Sequence, residues 1–429
     1  MSRAAELLET CFREEYGRIV SVLMRVLGSL EEAEDVIQSA AARALEDWPK
    51  RGFPSRPGAW LTTVSRRIAL DRIRRRAVEG RAQERLTRDR GTGPRTTVAS
   101  GRAPENDPYD LLDAWPDERL RLMFVCCRPD LPVESRLALT LKEVSGLTTP
   151  RVAAAFLVSE ATIAQRLVRA KRRLRERRVA LEVPAGTEIL ARLGDVLGVI
   201  YLVFNAGYLQ PHGTALLNAE LCDEAIHLAR TVVELMRAAK LPESAEALGL
   251  SALLILTHSR RDARCDPWGM PVLLEDQDRG LWHADEAAEG LALLDRAAAL
   301  RSPGPYQLKA AVAALHHTAG DAADTDWRGI ESLYKRLYAY EANPVVRLNA
   351  IVAHGMWAGA ERGLAELEEL ATNTKALDSY TYFHLARARF LRELGRPKEA
   401  GRSLFSAAEL TTNDAERRFI EAQLAALGS

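Results

Sequence analysis

The side chains of this 429-residue chain best suited to chemistry are arginines on two helical stretches, and the chemistry they suit is phosphate binding. Residues 60–76 read WLTTVSRRIALDRIRRR. If Leu61, Val64, Ile68 and Ile73 face a core, then Arg66, Arg67, Arg72, Arg74, Arg75 and Arg76 are left for the exposed sides. Guanidinium groups pair with phosphates bidentately and stay charged at physiological pH. An aromatic such as Trp60 beside a basic groove can stack on an unpaired base. A solvated arginine-rich helix with Trp60 in its core fits the same residues equally well.

Residues 148–174 read TTPRVAAAFLVSEATIAQRLVRAKRRL. A first helix from Pro150 to Leu157, a turn at Val158-Ser159-Glu160 with Ser159 as N-cap, and a second helix with Ile163, Leu167, Ala170 and Leu174 on one face make a helix-turn-helix. On the opposite face Glu160, Thr162, Gln165 and Arg166 lie near the start of the second helix, where base edges are read. Arg169, Lys171, Arg172 and Arg173 follow, placed for phosphates. An ordinary helical hairpin with a charged face is the plainer alternative. No nucleotide-binding loop, nucleophile elbow or metal-ligand spacing occurs, and all eight histidines fall after residue 211. The chain is therefore expected not to be an enzyme and to need no metal or cofactor.

These helices need a scaffold, and the composition supplies a helical one. Apolar residues make up 47% and aromatics only 6%, with alanine, leucine and arginine abundant. That predicts a globular all-α fold. Residues 1–90 read as a first helical module, in which Leu8, Phe12, Tyr16, Ile19, Leu23 and Val26 form one stripe and Gly28 and Ser29 separate it from the next helix. That next helix closes near Trp48-Pro49, and a third starts at Ala59. A Gly/Pro-punctuated linker over 91–116, a second module over 117–180 and a larger helical region over 185–429 follow. The net charge of zero hides an asymmetry. Residues 1–178 hold 34 Lys and Arg against 25 Asp and Glu, and the remainder holds 25 against 34. A basic front suits a polyanion. The acidic rear either restrains that front or is required alongside it. Five scattered cysteines without a CxxC read as reduced thiols in a cytoplasmic protein, and no signal peptide or membrane span is expected.

Taken together, these segments resemble the extracytoplasmic-function group of sigma factors. EDVIQSAAARALEDW (34–48) is similar to region 2.2 of that group, GAWLTTVSRRIALDRIRRR (58–76) to regions 2.3 and 2.4, and residues 117–178 to region 4. The resemblance covers about the first 180 residues. It implies core RNA polymerase and promoter DNA as partners. Asp35 and Gln38, with Glu34 and Arg43, would grip the polymerase. Trp60, Thr63, Arg66, Arg67, Asp71, Arg74 and Arg75 would read the −10 element, and Ser159, Glu160, Thr162, Gln165, Arg166, Arg169, Lys171, Arg172 and Arg173 the −35 element. Arg67 stands where many relatives have Asn, so the −10 base preference does not transfer. A conventional helix-turn-helix regulator with a helical sensor domain is the alternative function.

VIYLVFNAGY (199–208) resembles a subgroup with a long C-terminal extension, with Ala206 where an acidic residue is usual. In RRDARCDPWGMPVLLEDQDRGLW (260–282), Arg261 is expected to pair with Asp276 or Asp278; metal binding by Glu275, Asp276 and Asp278 is a weaker option. GRPKEAGRSLFSAAEL (395–410), with Ala388 and Leu391 before it, carries tetratricopeptide-like spacing. NPVVRLNAIVAHG (343–355) with Gly363-Leu364 reads as a degenerate second copy. Such pairs stack into scaffolds that take a protein partner, although a bundle without a groove fits the same pattern.

Overall fold

The structure, a computed structural model, describes residues 3–89, 118–156, 158–176, 187–210, 215–238 and 240–427. The expected linker at 91–116, Leu157 and the side chain of Phe12 lie outside what it describes. Among the described residues the regular elements are all helical, and the only pairing of extended backbone is a single bridge between Cys265 and Pro271. The chain forms two compact units, Met1–Val199 with Leu235–Leu241, and Ile200–Glu234 with Pro242–Ser429.

In the first unit α1 (Arg3–Leu27), α2 (Leu30–Arg51) and α3 (Pro57–Asp89) pack against one another. Gly28, at φ +75°, ends α1 by donating its N–H to the Met24 carbonyl at 2.7 Å. Ser29 then caps α2, its hydroxyl oxygen accepting the Glu32 N–H at 3.4 Å. The expected end of α2 at Trp48-Pro49 is corrected to Arg51. A proline in the last turn removes one ladder bond without stopping the helix, and Gly52 (φ +93°) closes it onto the Trp48 carbonyl at 3.0 Å. α2 buries Ala33, Val36, Ile37, Ala40, Ala44 and Trp48, the face its periodicity predicts. In α3 Leu61 and Ile68 are buried, while Val64 and Ile73 are only half-buried.

The second set comprises α4 (Glu118–Cys126), α5 (Val133–Leu139), which runs on through a wider π-type turn over Thr140–Val144, α6 (Thr149–Ala155) and α7 (Glu160–Glu176). α7 starts at Ser159, whose Oγ accepts the Thr162 N–H at 3.2 Å. Its stripe of Ile163, Leu167, Ala170 and Leu174 is buried against α5 and α6. Each of the three larger side chains stabilises that packing by roughly 1.5–3 kcal/mol. The two sets meet directly, because α1 packs on α4 and on the turn after α5. Gly17 permits this approach: a Cβ there would lie 3.1 Å from the Val144 carbonyl carbon.

α8 (Thr187–Tyr208) runs from one unit into the other. The second unit continues with α9 (Ala219–Ala238), α10 (Ala245–His258), α11 (Ala284–Ala299), α12 (Pro305–Thr318), α13 (Trp327–Tyr340), α14 (Pro344–Ala358), α15 (Ala360–Asn373), α16 (Thr381–Glu393), α17 (Pro397–Leu410) and α18 (Asp414–Leu427). From α10 onward each helix packs on the next, a stack of helix pairs. The two repeat-like segments fall on α14–α15 and α16–α17. Ala388, Leu391, Ala400, Leu404 and Ala407 are buried between the last pair and its neighbours.

Candidate nucleic-acid interface

On α7 the side chains opposite the buried stripe form a basic face. Gln165, Arg169, Arg172 and Arg173 are exposed, as is Glu160 at the first turn, and Thr162 and Arg166 are half-buried. Arg166, Arg169, Arg172 and Arg173 line one wall of a groove of about 510 Å³ whose other wall is Pro132, Glu134 and Ser135. That second wall was not foreseen. Its signal in the sequence is only a proline opening a short helix, with nothing to link it to a segment thirty residues on. Four guanidinium groups along one open groove can hold a polyanion, since each pairs with a phosphate without needing a particular base.

α3 is less uniform. Thr63, Arg67, Asp71, Arg74, Arg75 and Arg76 are exposed. Trp60 is half-buried, edge-on to Trp48 with ring centres 5.5 Å apart. The Thr63 hydroxyl donates to the Ala59 carbonyl at 2.8 Å. Asp71 sits 3.9 Å from Arg74. Arg66 departs from the expected basic face: its Nε and Nη2 are shielded from solvent, because the residue follows buried Ser65 on the inner flank of the helix.

On α2, Asp35, Gln38 and Arg43 are exposed, joined by Leu45. Asp35 lies 3.9 Å from Arg72 of α3, and Glu32 pairs with Arg76 at 2.7 Å. Glu34 and Lys171 do not face outward as expected. The Lys171 ammonium contacts Glu34 at 2.5 Å and Glu143 at 3.1 Å, and Lys142 stands 3.9 Å from Glu34. Arg175 of α7 reaches Glu31 of α2, and the Tyr16 hydroxyl donates to Glu143 at 3.5 Å. The reason is packing. Lys171 points from α7 toward Glu34 of α2 and Glu143 of the turn after α5, so its charge meets two carboxylates instead of solvent. Burial pushes the Glu143 carboxyl up to about 7, against the pull of Lys171. Burial lowers the Lys171 ammonium, but Glu143 and Glu34 outweigh it and hold the ammonium above its usual range.

In the second unit Arg261 pairs with Glu286 at 2.6 Å, not with Asp276 or Asp278. Glu286 opens α11 and presents its carboxylate to the turn that carries Arg261. Asp278 accepts the Gly280 N–H at 2.8 Å, and Glu275 pairs with Arg389 at 2.7 Å. Two of the three carboxylates proposed for a metal are thus engaged elsewhere. Among the described residues no cluster of three or more His, Cys, Asp or Glu could hold a metal ion. No helix among them is long and apolar enough to cross a membrane.

Three segments of the chain match known protein families. The sigma-70 region 2 family matches residues 11–78, the sigma-70 region 4 family residues 122–174, and a family of unknown function (DUF6596) residues 192–298. An uncharacterised protein of Rhizobium meliloti (strain 1021) is 41% identical over 407 residues, 94% of this chain and 92% of that protein. The ECF RNA polymerase sigma factor SigJ of Mycobacterium tuberculosis is 31% identical over 194 residues, 43% of this chain and 58% of SigJ. The ECF RNA polymerase sigma factor SigL of the same species is 28% identical over 172 residues, 40% of this chain and 88% of SigL. No solved structure matches.

Proposed function

The chain belongs to the extracytoplasmic-function type of sigma-70 factors that carry a C-terminal helical extension, and on that premise we propose how its residues divide the work of transcription initiation. Residues 1–90 dock on core polymerase through Asp35, Gln38 and Arg43, and present Trp60, Arg67, Arg74 and Arg75 to the −10 strand. Residues 117–180 read the −35 duplex with Glu160, Thr162, Gln165 and Arg166, and hold its phosphates with Arg169, Arg172 and Arg173. Residues 185–429 regulate. The chain performs no catalysis of its own; polymerization belongs to the partner. The observation that carries this reading is the division of α7 into a buried apolar stripe and an arginine-lined open groove.

This reading requires the two N-terminal modules to part. Elements named for positions −10 and −35 lie about 25 base pairs apart, which is roughly 85 Å at about 3.4 Å per pair. A compact unit of about 180 residues is only roughly 40 Å across. With Lys171 held between Glu34 and Glu143, both heads cannot reach their elements at once. The test is run-off transcription from a linear promoter template. Specific product should form only with core polymerase and this chain together, and Asp35→Arg with Gln38→Ala should abolish it. Equal product from core polymerase alone would overturn the reading.

A further inference from the structure

In the second unit three arginines gather where α8, α10 and α12 end, and among the described residues no carboxylate pairs with them. Arg264 lies over Tyr208, 3.5 Å from the ring centre, and its Nη1 donates to the Tyr208 carbonyl at 2.7 Å. The Arg279 Nη1 donates to the carbonyls of His316 and Ala319 at 2.8 and 3.0 Å, and its guanidinium stands 4.6 Å from the ring centre of Trp282. Arg260 stands 5.6 Å from the same ring, and its Nη2 donates to the Tyr208 hydroxyl at 3.4 Å. Nearby acids are engaged elsewhere: Glu286 by Arg261, Asp262 by His283 at 2.9 Å, and Asp223 by His258 at 3.0 Å.

Helix ends do not balance this charge. Each C-terminus offers about half a negative charge, so three ends supply roughly half of what three guanidinium groups need. The two neighbouring imidazoles carry no counter-charge either. Burial first, and then Arg260 and Arg279, push the imidazoles of His316 and His317 down to about 4, so both are neutral. The His317 ring meets Trp282 edge-on at 4.7 Å. The Trp282 indole Nε1 is shielded from solvent and has no acceptor among the described residues. A shielded donor without an acceptor and a cluster of like charges are both costly arrangements.

We infer that this cluster is an anion site, in which Arg260, Arg279 and the Trp282 indole N–H receive a phosphate, free or as the phosphoryl group of a small metabolite. Phosphate fits because it carries multiple charge and several acceptor oxygens for donors that come from different elements. Apart from His316 and His317 of α12 and the Ala319 carbonyl, the site lies within residues matched to a family of unknown function, and all of it lies beyond the segments assigned to polymerase and DNA.

Titration calorimetry and thermal unfolding of the full chain test it, with sodium phosphate, glycerol phosphate and sodium sulfate compared with sodium chloride at equal ionic strength. The expected result is saturable, one-site binding of phosphate or glycerol phosphate with a rise in unfolding temperature. The tighter of the two identifies the free or the esterified source. Arg260→Met should weaken binding about tenfold or more, the loss of a charge-assisted contact. In chloride the same variant should unfold no earlier than the parent, because it removes an unbalanced charge. Trp282→Phe keeps the ring, deletes the N–H, and should weaken binding less. Two results would overturn the proposal. One is phosphate and sulfate acting no differently from chloride. The other is Arg260→Met lowering the unfolding temperature equally with and without phosphate, which marks Arg260 as a structural cap.

Discussion

Where α2 meets α7 the contact is made by charge, with Lys171 between Glu34 and Glu143 and Arg175 on Glu31. Where α14, α15 and α16 meet it is made by shape. Gly355 and Gly363 lie against each other under the ring of Phe390, and a Cβ on Gly363 would sit 2.7 Å from that ring. Around them Leu348, Ile351, Leu364, Leu367 and Leu391 are buried. Charges lose hydration to form the first contact and regain it when the contact opens, so such a contact is weakly favourable overall. Apolar surface gains nothing from being returned to water. The α2–α7 charge contact is therefore less costly to open than the apolar stack of α14, α15 and α16, although α1 also packs on α4 and on the turn after α5.

The largest effect should come from breaking the charged contact unevenly. Lys171→Met leaves Glu34 and Glu143 facing each other across a shielded site, at a cost of about 3–5 kcal/mol. Energy transfer between dyes on α2 and α7 should report separation; an unchanged distance would mean that other contacts hold the modules. Next comes Gly363→Ala, which forces a methyl into Phe390 and should destabilise the stack by about 1–3 kcal/mol. Calorimetry should show the loss while the α2–α7 distance stays the same, and a change in that distance would erase the contrast between front and rear.

A pH effect should be smaller. In the closed contact the Glu143 carboxyl titrates near 7, above its value of about 4.3 when exposed. The closed form therefore binds a proton that the open form does not. Its extra stability is complete below the exposed value and is lost as pH rises through about 7. Between pH 6 and 8 the closed form should lose about 1 kcal/mol. Glu143→Gln should flatten the dependence, and a slope of opposite sign would refute the assignment. The smallest effect per residue belongs to the open face of the same helix. Arg169→Ala with Arg173→Ala should lower DNA affinity across sequences and reduce the salt slope by about 2, leaving base preference intact. A changed base preference would move these residues to the reading edge.

The sequence made α7 legible because its apolar spacing of four, three and four fixes one inner face, and Ser159 marks its start. α2 was legible for the same reason. Periodicity tells which side of a helix meets its own module, and it carries no information about which other module covers a second side. Lys171 and Glu34 are 137 residues apart, so their pairing left no local trace. Arg66 failed differently: a run of arginines was read as uniformly exposed, although one of them follows a buried serine. Arg261 met a carboxylate as expected, but Glu286 of the next helix was not among the acids considered. The arginines around Trp282 were visible as residues only. That they gather at three helix ends, without a paired carboxylate among the described residues, is a property of the fold.

The central claim is that two basic helices of one chain engage a promoter together while the chain rides on polymerase. Footprinting of an end-labelled promoter, with permanganate to detect unpaired thymines, tests it most directly. With core polymerase and this chain, protection should appear over both the −35 and −10 elements, with reactive thymines at −10, and neither partner alone should produce it. Protection of the −35 duplex by the chain alone, unchanged by core polymerase and without opening at −10, would contradict the account.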